Sequence, residues 1–301
     1  MKHCSGYTIS EFNTLENLDL DQKLEVTLEI LEEFNILTKG KFYISFSGGK
    51  DSTVLSHLVE QSFPDKPNVF CDTGLEYPEV KEFALSKQNV IVLKPKKSFK
   101  YVLDTYGYPV ISKEQSRYIN DVQQDTLLGI FRKLGGTYSI SQKYLYLCEA
   151  PFKISDRCCY HLKKSPMYTY ERKTKEYPVI GVMARDSNLR MKYIINKGCN
   201  RLGKRLISNP LGFWNEQNIL EYLYKNKLKY SSIYGEITKI NGVYSLSGVK
   251  HTGCMFCMFG LQHEEQPNKF QRMKTSHPKQ YNLCMDTLGL NEVLNYLNIP
   301  H

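Results

Sequence analysis

Near the start of the chain apolar residues recur at Leu20, Leu24, Leu28, Leu31 and Phe34, with Glu25, Glu29, Glu32 and Glu33 between them and Lys39-Gly40 after them. Positions three and four apart share one face of a helix, so this pattern predicts an amphipathic helix that stops at the glycine. The period then shortens. Phe42-Tyr43-Ile44-Ser45-Phe46 is an apolar run of strand type, followed by a glycine turn and a helical run through Val54, Leu55, Leu58 and Val59. After Pro64 and Pro67, Asn68-Val69-Phe70-Cys71 predicts a second strand, Pro78 opens another helix, and Asn89 to Leu93 predicts a third strand. Residues 98–147 are polar and mostly helical in pattern, and Tyr177 to Val182 returns to strand, where the sheet is expected to end. Strands alternating with helices predict an α/β fold: a doubly wound, mostly parallel sheet covered on both faces, with a ligand at the carboxyl ends of its strands. Further on, "NEQNILEYLYKNK" from Asn215 is helical, Asn241-Gly242 marks a hairpin turn, and Met273 to Leu297 carries more helix. The expected divisions are a helical lead-in over 1–40, the sheet domain over 41–225, and a small C-terminal module over 226–301.

At 301 residues the chain can bury a full core without disulfide staples. The first ten residues lack the apolar stretch of a secretory signal, and no apolar run approaches the ~18 residues of a membrane span. The expectation is a soluble cytoplasmic protein that does not engage a membrane. Forty Lys and Arg against 31 Asp and Glu give a formal charge of +9, with clusters at Lys94-Pro95-Lys96-Lys97, Lys163-Lys164, Arg201 to Arg205 and Lys225 to Lys229. Such a surface suits a polyanion, although clusters this short also occur as ordinary solvated lysines.

Ser47-Gly48-Gly49-Lys50-Asp51-Ser52 lies between a strand and a helix. It is shorter than a Walker A loop and has no GxGxxG, yet the physics is shared. Glycines let the backbone turn tightly and expose N–H groups, the helix adds its positive end, and the hydroxyls of Ser47 and Ser52 can donate to phosphate oxygens. An anion of phosphate type is the expected occupant. Arg185 and Arg190 follow a predicted strand end and could neutralise phosphate charge; the alternative is surface ion pairing with Asp186 or Glu176.

"SFSGGKDS" resembles the PP-loop of the adenine nucleotide alpha hydrolase superfamily. Within it, Asp72-Thr73-Gly74 with Tyr77-Pro78-Glu79, "GVMARDSNLR" from Gly181 to Arg190, and "NPLGFWNEQNILEYL" are similar, in order, to segments of the phosphoadenosine phosphosulfate (PAPS) reductase family. The resemblance implies a Rossmann-like fold. It also implies that Ser47, Gly48, Gly49, Lys50, Asp51 and Ser52 contact the phosphates of an adenine nucleotide or their Mg2+, with Asp72, Thr73 and Gly74 near adenosine and Arg190 toward phosphate. Lys50, Asp51 and Arg185 are the expected catalytic residues.

The cysteines form two pairs, Cys158-Cys159 and Cys254-Met255-Phe256-Cys257. Together they supply four thiolates, the number a tetrahedral zinc or a 4Fe–4S cluster requires. A tandem pair followed by basic residues and Pro, then a distant CxxC, looks like the cluster pattern of adenosine phosphosulfate (APS) reductases and of related DNA phosphorothioation proteins. This implies a 4Fe–4S cluster, with zinc or free redox thiols as alternatives. His161 and His251 flank the thiols but are not needed as ligands, while Lys163 and Lys164 could hold an anion or simply be solvated. Cys4, Cys71, Cys148 and Cys199 lack partner spacing and read as core or surface residues.

Sulfonucleotide reductases carry a nucleophilic Cys in a Glu-Cys-Gly-Leu-His type motif, which is missing here; Cys284, in "YNLCMDTLGL", is the one candidate. The complete Ser-Gly-Gly-Lys-Asp-Ser loop favours ATP over APS or PAPS. The resulting expectation is an Mg-ATP-dependent enzyme that adenylates an acceptor, favoured to be tRNA or DNA, for sulfur transfer, with a sulfur donor or reductant protein as partner. The alternatives are an APS/PAPS reductase releasing sulfite, and a non-catalytic nucleotide- or nucleic-acid-binding subunit.

Overall fold

The computed structural model describes residues 2–301. Along the chain the strands are β1 (Phe42–Phe46), β2 (Asn68–Cys71), β3 (Val90–Leu93), β4 (Val110–Ile111), β5 (Tyr177–Ile180), β6 (Asn200–Arg201), β7 (Ile207–Ser208), β8 (Ile237–Ile240), β9 (Val243–Leu246) and β10 (Met258–Phe259). They fall into two compact units, neither of which is one continuous stretch. The first takes the chain up to Asp72, then Glu76–Leu93 and Met167–Thr252; the second takes Thr73–Leu75, Lys94–Pro166 and Gly253–His301. The module expected from residue 226 therefore divides, with 226–252 in the first unit. The reason is local: Gln217, on the helix Glu216–Lys225, exchanges two 2.8 Å hydrogen bonds with the backbone of Tyr244 and so ties the hairpin of β8 and β9 to that helix.

The first unit is built on a six-stranded sheet in the order β3-β2-β1-β5-β7-β6, parallel except for β6. The chain runs outward from β1 through β2 to β3, then returns to the other side of β1 with β5. The loop after β1 thus lies where the strand order reverses, the place where open α/β sheets bind ligands. The expected end of the sheet at Val182 is corrected: β7 and β6 continue it. Each is only two residues long, too short for periodicity to reveal, and they bury polar groups that satisfy one another. Asn200 donates to the Ile30 carbonyl at 2.9 Å and accepts from the Ser208 hydroxyl at 2.7 Å.

The helix Leu20–Thr38 forms as expected, with Asp19 as its N-cap, and Leu20, Leu31 and Phe34 of the expected stripe are buried. Leu24 and Leu28 pack against the core while only partly buried, and the buried face widens to take in Lys23, Thr27 and Ile30. Hydrogen bonds make this possible. Lys23 Nζ donates to Asn218 at 2.7 Å, and Thr27 Oγ1 accepts from Trp214 Nε1 at 3.0 Å. Around them Phe42, Ile44, Val54, Leu55, Leu58, Trp214 and Ile219 form one apolar cluster. The Asn241-Gly242 turn joins β8 to β9 with both residues at positive φ, 50° and 84°, as a two-residue hairpin turn demands.

In the second unit β4 and β10 pair in parallel, Val110 with Met258 and Ile111 with Phe259. The Met255 N–H donates to the Leu75 carbonyl at 2.8 Å. Helices Phe99–Tyr106, Lys113–Gln123, Lys269–Ser276 and Leu290–Tyr296 complete it. No helix among the described residues is long and apolar enough to cross a membrane.

Candidate functional site

The turn after β1 is fixed by its own hydroxyls. Ser47 Oγ and Ser52 Oγ lie 3.0 Å apart, Ser52 and Thr53 both donate to the Gly49 carbonyl at 2.9 Å, and the Gly49 N–H donates to Ser47 Oγ at 3.3 Å. Gly48 has φ +71°, and a Cβ there would stand 2.7 Å from the Val80 carbonyl, so the loop lies directly against the helix Pro78–Ser86. Gly48→Ala should therefore cost about 2–4 kcal/mol, summing left-handed backbone strain and overpacking. Urea unfolding checks this, and a cost below about 0.5 kcal/mol would mean the contact yields easily.

The helix Lys50–Ser62 opens at Gly49 with no side-chain cap, leaving its positive end for another acceptor. A Cβ at Gly49 would lie 3.2 Å from Tyr234 Oη, 3.3 Å from Ser47 Oγ and 3.5 Å from Thr252 Oγ1, so three hydroxyls surround this glycine. The Lys50 N–H donates to Tyr234 Oη at 3.2 Å, and that oxygen is bonded to Thr252 Oγ1 at 2.8 Å.

Lys50 is only 2 % exposed; its Nζ donates to the Lys250 carbonyl at 3.1 Å and stands 3.6 Å from Asp51 Oδ1 and 3.4 Å from Glu216 Oε1. Those two carboxylate oxygens are buried and accept no hydrogen bond from the described residues. Burial pushes the Asp51 carboxyl up, Lys50 draws it back, and Asp186 adds to the push. Paired carboxylate oxygens beside an uncapped helix N-terminus are a hard-oxygen donor set, which fits a magnesium-bound polyphosphate. Glu216, Tyr234, Lys250 and Thr252 were not expected here. Glu216 reads as an ordinary acidic first-turn residue, and no local signal marks the others.

Both arginines are held in ion pairs. Arg185 is 58 % exposed and pairs with Glu16, while Arg190 pairs with Asp186. The ion-pair alternative thus describes them as the chain stands, though for Arg185 with a partner more than 160 residues away. Asp72 lies just beyond β2 with Lys81 Nζ 2.9 Å from its carboxylate. Thr73 and Gly74 belong to the second unit, where Thr73 Oγ1 accepts from the Leu75 N–H at 3.2 Å.

Within that second unit Cys158, Cys159, Cys254 and Cys257 line one pocket with Leu75, Phe99 and Lys163. The two pairs, about a hundred residues apart, have been brought together. Cys158 Sγ lies 4.0 Å from Cys159 Sγ, near the ~3.8 Å that two thiolates on one tetrahedral zinc would span. The hydrogen bond from Cys158 draws the Cys159 thiol down against the opposing effect of burial, and Lys113, Lys163 and Lys164 add to the lowering. The Cys158 thiol is pushed up by that same hydrogen bond and by burial. An all-sulfur set fits zinc or an iron–sulfur cluster and no hard cation. Even so, no three His, Cys, Asp or Glu side chains among the described residues converge to the ligand distances of one ion, and the space enclosed is about 20 Å3. The pocket gathers the thiols without closing them into a shell.

Cys284 is a different case. It is fully buried, donates to the Tyr281 carbonyl at 3.2 Å, and burial pushes its thiol up to about 12. Both the burial and the shift weigh against an attacking thiolate, which needs an accessible and ionised sulfur.

Residues 41–259 match the phosphoadenosine phosphosulfate reductase domain model. An uncharacterized protein of Methanocaldococcus jannaschii is 25% identical over 283 residues, which are 91% of this chain and 54% of that protein. PAPS reductases of Photorhabdus laumondii subsp. laumondii and Vibrio campbellii are 36% and 33% identical over 77 and 98 residues, or 25% and 31% of this chain. The chain thus spans about half of the first relative and only 29% and 35% of the two reductases. A crystal structure of PAPS reductase from Candida auris superposes with a TM-score of 0.41 at 14% identity, covering 78% of this chain and 97% of that one. With a mostly parallel sheet, a Ser-Gly-Gly-Lys-Asp-Ser loop at its switch point and a family match over more than two thirds of its length, the chain belongs to the phosphoadenosine phosphosulfate reductase domain family.

Proposed function

We propose that this protein binds Mg-ATP in the loop after β1 and transfers AMP to an oxygen of an acceptor, for which nucleic acid is the favoured class. The observation that carries the reading is the complete loop, with Lys50 buried beside two unsatisfied carboxylate oxygens at an uncapped helix end. The acceptor oxygen attacks the α-phosphorus, the bond to the bridging oxygen breaks, and pyrophosphate leaves with that electron pair. A donor protein's persulfide then attacks the acceptor atom carrying the AMP through its outer sulfur; the bond from that atom to oxygen breaks and AMP departs with the oxygen. The acceptor–donor disulfide so formed is cleaved by a thiol reductant, which leaves the outer sulfur on the acceptor and is itself oxidised to a disulfide.

The chain's own part is electrostatic. The N–H groups of the loop and Lys50 Nζ meet charge that grows on the departing pyrophosphate, a fixed arrangement that needs no reorganisation during reaction. Tyr234 Oη holds the Lys50 N–H in the place a phosphate oxygen would take, so binding exchanges one acceptor for another. Asp51 and Glu216 would hold Mg2+, which supplies charge neutralisation.

Cys158, Cys159, Cys254 and Cys257 would hold a 4Fe–4S cluster in this reading. Zinc, which the same four sulfurs also suit, is the second reading. Reduction of APS or PAPS with Cys284 as nucleophile is disfavoured by that thiol's burial.

The test is calorimetry on anaerobically purified protein, titrated separately with a non-hydrolysable ATP analogue, APS and PAPS, with iron and zinc measured on the same sample. Magnesium-dependent binding of the ATP analogue in preference to both sulfonucleotides is the expected result. Preference for APS or PAPS overturns the reading.

A further inference from the structure

The second unit presents a surface where rings and cations alternate. Lys97 Nζ stands 4.9 Å from the ring centre of Tyr101 and 4.7 Å from that of Tyr106, and donates to Tyr106 Oη at 2.5 Å. The Tyr106 ring stacks on His161, with centroids 4.4 Å and planes 20° apart. His161 in turn meets Tyr160 edge-on at 5.2 Å. Two segments about sixty residues apart therefore build one row: Tyr101, Lys97, Tyr106, His161, Tyr160. Its two ends are open, Tyr101 at 48% and Tyr160 at 46% exposure.

The charge around the row is mainly positive. Residues 94–106 and 156–164 hold seven cations, Lys94, Lys96, Lys97, Lys100, Arg157, Lys163 and Lys164, against two carboxylates, Asp104 and Asp156. Asp104 is already paired with Lys100 at 3.0 Å. An apolar docking face would show aliphatic side chains, and a phosphate pocket would show cations without rings. Exposed tyrosine faces among lysines suit a ligand that offers flat unpaired bases on a polyanionic backbone, since any base can stack and every phosphate is attracted. A duplex keeps its base faces stacked inside and cannot use the rings.

We propose that this row is a docking surface for single-stranded nucleic acid, with Tyr101 and Tyr160 as stacking platforms and Lys94, Lys96 and Lys97 along the backbone. Cys158 and Cys159 immediately precede Tyr160, so a strand bound here lies beside the four-cysteine pocket. As an acceptor site the surface rests on the adenylation reading above; as a binding surface it stands on its own geometry.

The test is fluorescence anisotropy of the full chain with labelled oligo(dT), oligo(U) and a duplex, each of about 20 units, long enough to exceed a usual single-strand site. Either single strand should bind more tightly than the duplex, with affinity falling steeply between about 50 and 200 mM salt. Tyr101→Ala and Tyr160→Ala should each weaken binding about 5- to 100-fold, Tyr→Phe at either position should restore it, and Lys96→Ala should lower the salt slope by about one. Urea unfolding of the two alanine variants should show midpoints within about 0.5 kcal/mol of the parent's, as for surface substitutions, which establishes that they fold. Equal or tighter duplex binding, or unchanged binding in the double alanine variant, overturns the proposal. Oligonucleotide binding that persists in a protein without affinity for ATP would sink the adenylation reading alone.

Discussion

Lys50→Ala is expected to weaken binding of the ATP analogue by roughly 10- to 150-fold, the loss of one charged donor to a phosphate. The same change leaves Asp51 Oδ1 and Glu216 Oε1 without the cation now 3.6 and 3.4 Å away. Both carboxylates retain some exposure, 30 % and 39 % for their side chains, so solvent limits the stability cost to about 1–2 kcal/mol. The variant should therefore fold, and calorimetry beside urea unfolding separates the two effects. Lys50→Arg keeps the charge but not the fit, because a planar fork cannot occupy the space of an ammonium that donates to the Lys250 carbonyl. If both variants bind ATP as the parent does, the phosphates lie elsewhere.

Trp214→Ala carries the largest expected stability loss. The side chain is fully buried, meets Tyr222 edge-on at 6.1 Å, and donates from Nε1 to Thr27 Oγ1 at 3.0 Å. Truncating an aromatic of this kind costs about 3–5 kcal/mol, and the stranded Thr27 hydroxyl adds about 1 more. Against a typical total of roughly 5–15 kcal/mol, much of the chain would be unfolded in mild urea. The consequence reaches the site, since the helix bearing Glu216 begins two residues later at a cap formed by Asn215. Trp214→Phe should retain most of the packing, lose the hydrogen bond, and cost about 1–2 kcal/mol. A loss below about 1 kcal/mol for the alanine variant, read from the urea midpoint at constant slope, would show that this core collapses around the gap.

Local pattern was informative wherever one residue's role depends on its neighbours in sequence. The first three strands, the loop, the helix after it and the Asn241-Gly242 turn all fall where spacing and turn chemistry put them. The strands β6 and β7 were hidden because two-residue strands have no period. The leucine stripe marked the inward face at Leu20, Leu31 and Phe34 but gave no sign that Lys23 and Thr27 share it, because hydrophobicity takes no account of their hydrogen-bond partners on Asn218 and Trp214. The division near residue 226 missed that the chain leaves one unit and re-enters it twice, an arrangement with no marker in composition.

For the site the contrast is sharper. Residue types at short fixed spacing mark the family, the glycine loop and the two cysteine pairs in the sequence. That Glu216, Tyr234, Lys250 and Thr252 close around Lys50, that Arg185 is engaged by Glu16, that Cys284 is buried, and that the pairs 158–159 and 254–257 line one pocket follows from tertiary packing. The physical reason is contact distance: backbone geometry writes a loop or a CxxC into neighbouring residues. Groups separated by a hundred residues or more meet only when the chain buries its apolar surface, and that burial sets which partner each charge and thiol finds.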